Sequence, residues 1–183
     1  IDGAYGGFVY PFSNEKSDIN FNNPKISSIT IDAHKMLQAP YGTGVFICRK
    51  GLIENVLTKE AEYVEGMDLT LCGSRSGANA VAVWMILFTY GPYAWYEKIS
   101  ILMMRTQFLT KELDALGIEY YNCPFMNIVT IKAEFVPENI AHKFGLVPQQ
   151  HNENNKWYKI VLMDHVEVEH LTNFIDEMKA SKN

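Results

Sequence analysis

Apolar and polar positions along the chain follow first a strand-like and then a helical spacing. Ile26 to Asp32 mixes β-branched and small residues after Pro24 and predicts a strand. Val45 to Cys48, entered through Gly42-Thr43-Gly44 and closed by Arg49-Lys50-Gly51, predicts a second. The connection is tight, so an antiparallel pair is expected. Leu52 to Leu57 reads as a short helix, and Thr58 to Leu71, which shows no clear period, as an extended loop. Ser74 to Tyr90 is strongly apolar and predicts a buried helix that Gly91-Pro92 stops. Tyr93 to Leu116 predicts a long amphipathic helix. Its apolar side is Ile99, Leu102, Met103, Phe108, Leu109, Leu113 and Leu116, and Gly117 ends it.

Beyond Gly117 the elements shorten. Ile118 to Tyr121 and Met126 to Lys132 predict strands, and Pro137 to Phe144 a helix with proline at its first position. Trp157 to Met163 predicts a further strand. Asp164-His165-Val166-Glu167 resembles a capping box ahead of a last helix, Val168 to Ala180. This succession describes a small α+β unit, so the expected division is 1–117 and 118–183.

Composition narrows the function classes. The chain has 183 residues, 48% hydrophobic and 20% charged, the balance of a folded globular protein. A net charge of -5 lacks the electrostatic footprint of sequence-independent nucleic-acid binding. The longest apolar run, Ala80 to Phe88, is too short to span a bilayer. Cys48, Cys72 and Cys123 are few and widely spaced, which argues against a disulfide framework or a zinc site and suits a reducing cytoplasm. The opening Ile1-Asp2-Gly3 reads like the end of a buried strand, so the sequence is expected to start inside a domain, as a fragment or one piece of a split protein.

The sharpest chemical feature is Ser28-Ile29-Thr30-Ile31-Asp32-Ala33-His34-Lys35, where a strand ends and a His and a Lys follow. Burial at a strand end disfavours the charged form of a lysine and makes it a better nucleophile toward an aldehyde. The alternative is a lysine that snorkels to solvent. Asp2, also at a strand end, leads into Gly3-Ala4-Tyr5-Gly6-Gly7. A carboxylate beside a pyridine nitrogen keeps that nitrogen protonated, and a small residue two positions later lets a flat ring lie against the backbone. Taken alone, the segment reads as a glycine-rich turn with an N-cap aspartate.

Together these residues resemble a known family. Asp2-Gly3-Ala4-Tyr5-Gly6-Gly7 is similar to the D-A-A-[FY]-G-G element of pyridoxal-phosphate-dependent group II amino-acid decarboxylases. Ser28 to Met36 resembles their S-[IV]-T-[IVA]-D-x-H-K-M element. Cys72-Gly73-Ser74-Arg75-Ser76-Gly77 is similar to the G-[ST]-R-x-G element of archaeal-type tyrosine/aspartate decarboxylases and sphingosine-phosphate-lyase-like enzymes. Asn127 to Ile131 and Ile160 to His165 resemble the small domain of the archaeal-type branch.

The resemblance covers almost the whole chain and implies an α/β fold: the C-terminal part of a fold type I pyridoxal-phosphate-dependent transferase large domain plus a small α+β C-terminal domain. It implies pyridoxal 5'-phosphate as cofactor, with Lys35 as its Schiff-base lysine, Asp2 on the pyridine nitrogen, Ala4 against the ring and His34 near the phosphate or ring. It also implies a homodimer in which Ser74 approaches the partner's cofactor phosphate; an N-cap role for Ser74 is the alternative. The implied reaction is decarboxylation of an L-amino acid, tyrosine or aspartate, to the amine and carbon dioxide. The implied partners are the small-molecule substrate, a second copy and the missing N-terminal half, with no nucleic acid and no membrane. Gly3 departs from the usual Ala, a change expected to loosen the turn. Lys159 stands where archaeal-type relatives carry an Arg suited to a substrate carboxylate, and a lysine keeps the charge without the bidentate fork.

Two other readings stay open: a carbon–carbon lyase acting on a phosphorylated amino alcohol, and a non-catalytic piece that only dimerises. The remaining candidates have structural explanations. His165 and His170 lack a third ligand for a metal and suit a helix start. Gly42-Thr43-Gly44 enters a strand and suits a turn. Tyr90, Tyr93, Trp95 and Tyr96, like Met103 and Met104, suit core or interface packing.

Overall fold

The structure is a computed structural model that describes residues 1–56, 74–151 and 155–182. The predicted loop from Thr58 to Leu71 and the Cys72-Gly73 start of the third motif lie outside the described residues. The chain divides into two compact units, Ile1–Trp95 and Tyr96–Asn183.

In the first unit, β1 (Ser28–Asp32) and β2 (Gly44–Cys48) pair antiparallel, with Ser28 opposite Cys48 and Asp32 opposite Gly44. The chain start lies on the other side of β1, where Asp2 forms an isolated parallel bridge with Thr30. It then closes through a 3-10 turn, Gly6–Phe8, into the short helix α1 (Tyr10–Ser13). A second 3-10 turn, Ile53–Val56, stands where a short helix is expected. Arg49 holds the irregular segment before β1. Its guanidinium donates to the carbonyls of Ile26 at 2.7 Å, Phe21 at 2.9 Å and Asn23 at 2.7 Å.

Helix α2 (Gly77–Ala115) is broken at Gly91, whose φ of 63° and ψ of 177° leave the helical region just ahead of Pro92. The sequence pattern predicts a buried helix before this break. The structure instead leaves its apolar face open: Val81 is 56% exposed, Trp84 61% and Phe88 76%. Trp84 and Phe88, one turn apart, stack at 5.2 Å. No described element lies over this face. Of the aromatic group around Gly91, Trp95 is core, packed edge-on against Phe8 at 4.7 Å, whereas Tyr90, Tyr93 and Tyr96 are exposed.

The second unit is a layer of helices on a four-stranded antiparallel sheet. Strands β3 (Tyr120–Asn122), β4 (Ile128–Lys132), β5 (Val147–Pro148) and β6 (Trp157–Val161) lie in the order β3-β4-β6-β5. Residue alternation sends Val129, Ile131 and Ile160 inward. They meet Leu109 and Leu113 of α2, Ile140 and Ala141 of α3 (Glu138–Lys143), and Leu171, Phe174, Ile175 and Met178 of α4 (Val168–Ala180). Strand β5 was not legible beforehand. It is two residues long, ends in proline and pairs on one side only, as an edge strand can.

Gly117, with φ 63°, ends α2: its N–H bonds the carbonyl of Asp114 and that of Ile118 bonds Leu113. One expected helix start and one expected capping box shift, while α4 itself spans Val168–Ala180 as expected. Pro137 is the N-cap of α3 rather than its first residue. The capping box of α4 is Glu167 with His170, because Asp164 is drawn elsewhere. Asp164 pairs with Lys98 at 2.5 Å, and Arg105 donates to the carbonyls of Asp164 and Val166.

Leu113 is fully buried in this core. Leu113→Ala is therefore expected to lower unfolding stability by about 2–5 kcal/mol, against no more than about 0.5 kcal/mol for exposed Lys111→Ala, in chemical denaturation of the whole chain.

Candidate active site

The first unit gathers its chemistry on β1. Thr30 N–H bonds the carbonyl of Ile1 at 3.1 Å, Gly3 N–H bonds that of Thr30 at 2.9 Å, and Asp32 N–H bonds that of Ala4 at 2.9 Å. The Asp2–Ala4 segment is thereby an extra run of backbone laid parallel along β1. The Asp2 carboxylate is solvent-accessible, with Oδ1 accepting from Ala4 N–H at 3.0 Å. Gly3 sits within this close approach of backbone to β1. A Cβ there would stand 3.0 Å from the Thr30 carbonyl oxygen and 3.1 Å from the Gly7 Cα, so glycine lets the segment press onto the strand.

Beyond Asp32 the chain turns, and Lys35 N–H closes the turn on the Asp32 carbonyl at 3.0 Å. Of the two readings of this strand-end lysine, the structure shows the one that reaches solvent. Its side chain is 41% exposed, and its ammonium pairs with Asp32 Oδ2 at 2.7 Å. The turn projects the lysine past the end of the strand, while Ala33, Met36 and Leu37 take the inward positions. Its hydrogen bond, with the charges of Lys35 and His34, holds the Asp32 carboxyl below its ordinary 3.8 despite an opposing effect of partial desolvation.

The His34 ring is fixed by the Thr43 carbonyl, 3.0 Å from Nδ1, which also accepts the His34 backbone N–H at 3.3 Å. A carbonyl only accepts, so Nδ1 carries the hydrogen and Nε2 is left to face a ligand. Thr43 is held in turn by its hydroxyl on the Pro40 carbonyl at 2.5 Å, and the Tyr41 ring meets His34 edge-on at 5.2 Å.

Asp2 and Ala4 thus lie on the segment alongside β1, and His34 and Lys35 in the turn after it. Ser74 does not join them through any described contact. It is exposed ahead of α2, and Ser76, not Ser74, immediately precedes Gly77. Lys159 belongs to the other unit. There it lies in a row across the open sheet face, Tyr121–Thr130–Lys159–Val147, set by the strand registers. The row borders a cavity of about 510 Å³ also lined by Pro148, Gln149 and Trp157. Sequence reading overlooked Asp32, although its spacing of three from Lys35 is that of residues meeting across one turn. It also overlooked Thr43, whose carbonyl carries no side-chain signal. Among the described residues no three His, Cys, Asp or Glu converge as metal ligands, and no helix is long and apolar enough to cross a membrane.

The fold is that of the C-terminal part of the fold type I pyridoxal-phosphate-dependent enzymes. A sphingosine-1-phosphate lyase from Burkholderia pseudomallei superposes over 98% of this chain and 44% of its own, with a TM-score of 0.80 at 17% identity. In sequence, the tryptophan decarboxylase of Clostridium sporogenes is 55% identical over 98% of this chain and 43% of its own length. A probable L-tyrosine/L-aspartate decarboxylase of Methanococcus maripaludis is 32% identical over 100% of this chain and 50% of its own. No family model matches. By sequence the chain is similar over nearly all of its length to part of these amino-acid decarboxylases. It spans about half the length of these curated relatives.

Because its folded value is depressed, Asp32 contributes stability above its unfolded value, and that contribution is lost as pH falls through the lower folded one. The carbon-13 shift of the Asp32 carboxyl is expected to titrate with a midpoint below 3.8, and Lys35→Ala should move the midpoint upward. Identical curves for the two proteins would show that the pair does not form.

Proposed function

We propose that the protein takes part in pyridoxal-phosphate-dependent decarboxylation of an L-amino acid. What carries the reading is the placement of Lys35 just after the strand to which Ile1, Gly3 and Ala4 are hydrogen-bonded, with Asp2 opposite Thr30. The residues suit the cofactor's parts: an accessible amine for an aldehyde, a carboxylate for a ring nitrogen, and a side chain small enough to admit a flat ring. When bound, pyridoxal phosphate supplies an aldehyde that captures amines and a ring that takes up the electron pair left by departing carbon dioxide.

The chain's own residues do the rest. Asp2 holds a proton on the pyridine nitrogen, its Oδ1 oriented by the Ala4 amide. Ala4 would admit the ring beside the backbone, and Lys35 would supply the amine that holds the cofactor through its aldehyde. His34, with Nδ1 committed to Thr43, offers Nε2 toward the cofactor ring or phosphate. Lys159 is the candidate for the substrate carboxylate, to which it would offer a charge without a bidentate fork.

In this reading residues 1–117 belong to the large domain and 118–183 to the small one. The remaining half of the relatives' length supplies the rest of the phosphate cup and covers the apolar face of α2. The complete enzyme is a homodimer, with Ser74 directed to the partner's cofactor phosphate. The 55% identity to a tryptophan decarboxylase supports tryptophan as the first substrate to test, ahead of tyrosine and aspartate. The likeness to sphingosine-1-phosphate lyase is one of fold and supports no lyase reading of its own.

Carbon dioxide release from tryptophan, tyrosine and aspartate by the protein at native length, with pyridoxal phosphate added, tests this. Release from one of them is expected, and Lys35→Ala should drop it to background. Undiminished release by that variant, or aldehyde release from a phosphorylated amino alcohol in place of carbon dioxide, would contradict the proposal.

A further inference from the structure

We propose that Asp32 is a positioning residue for Lys35: its carboxylate receives the amine as a paired ammonium whenever that amine is not bonded to a carbonyl carbon. The inference rests on the reading that Lys35 engages the cofactor aldehyde, and it adds a residue to which that reading gave no task.

Three observations place Asp32 in this role. Its Oδ2 lies 2.7 Å from Lys35 Nζ. The Asp32–Lys35 turn is closed by the backbone, Lys35 N–H on the Asp32 carbonyl at 3.0 Å, so the two side chains meet without bending the chain. The Asp32 N–H in turn bonds the Ala4 carbonyl at 2.9 Å, so one residue anchors both the segment assigned to the ring and the amine assigned to the aldehyde. The pair is also accessible: the side chains are 41% and 31% exposed, which leaves room for an aldehyde to compete for the amine.

The consequence concerns exchange. When an incoming substrate ammonium replaces Lys35 on the aldehyde carbon, one carbon–nitrogen bond forms and one breaks. Two protons leave the incoming nitrogen and two arrive on that of Lys35, with no net electron transfer. The freed Lys35 is then an ammonium, and Asp32 is the counter-charge waiting for it. Ion pairing stabilises this released state alone, so Asp32 favours release of Lys35 over its retention. An exposed pair of this kind corresponds to an about 1.5- to 5-fold effect on the equilibrium.

The test uses pyridoxal, which carries the aldehyde without the phosphate. The native-length protein and its Asp32→Asn variant are equilibrated with increasing pyridoxal, trapped with borohydride and mapped by peptide mass. Half-maximal labelling of Lys35 is expected at about 1.5- to 5-fold lower pyridoxal in Asp32→Asn. Added salt screens the pair, so it should produce the same drift in the unmodified protein and none in the variant. Equal or weaker labelling of a variant with unchanged circular dichroism would overturn the role of Asp32 while leaving that of Lys35 intact. Should the variant not fold, a salt-independent midpoint in the unmodified protein overturns it equally. Absence of any label on Lys35 in the unmodified protein overturns both readings together.

Discussion

The backbone ladder between the chain start and β1 is the constraint on which the site depends. Three hydrogen bonds, Thr30 to Ile1, Gly3 to Thr30 and Asp32 to Ala4, fix a carboxylate and a small residue against the strand that delivers the lysine. Residues far apart in sequence become neighbours through peptide groups alone. Glycine at position 3 eases the close approach, since a Cβ there would stand 3.0 Å from the Thr30 carbonyl oxygen. The strand then ends where its last residue can use its backbone N–H on Ala4 and its carboxylate on Lys35. In that way the geometry of one strand serves the segment before it and the turn after it.

Much of this was legible in the sequence. The two strands of the first unit and the final helix follow from β-branched runs and helical periodicity, and the stop at Gly117 follows from glycine's access to positive φ. What stayed hidden has identifiable causes. Whether Lys35 is buried or snorkels to solvent was open, because the strand before it is apolar and a lysine stem can bridge to water. Burial of a side chain beyond a strand end is set by the turn, however, and this turn points inward at Ala33 and Met36 instead. The α2 face was expected to be covered, since an apolar helix usually is; periodicity reports which face is apolar and says nothing of what lies over it. The capping box shifted because Lys98 and Arg105, remote in sequence, claim Asp164 and its carbonyl.

The second unit shows the same division between local and distant causes. Its core is readable as alternating strand positions and helical stripes, but its buried polar residues are not. Thr106 sits within the apolar stripe of α2 because its hydroxyl is satisfied by the Leu102 carbonyl one turn back. Asn127 is fully buried because its side chain and carbonyl together staple the Leu162 backbone, a pairing across 35 residues. On the opposite sheet face the row from Tyr121 to Val147 keeps Lys159 at the surface, where a charge on a half-open sheet costs little.

The central claim is that the turn after β1 presents the amine that captures the cofactor. Borohydride reduction of the native-length protein with pyridoxal phosphate, followed by peptide mass mapping, tests it most directly. The account predicts one stable phosphopyridoxyl group on the peptide containing Lys35, and its loss in Lys35→Ala. A stable adduct on another lysine, or none on the Lys35 peptide at saturating cofactor, would contradict it.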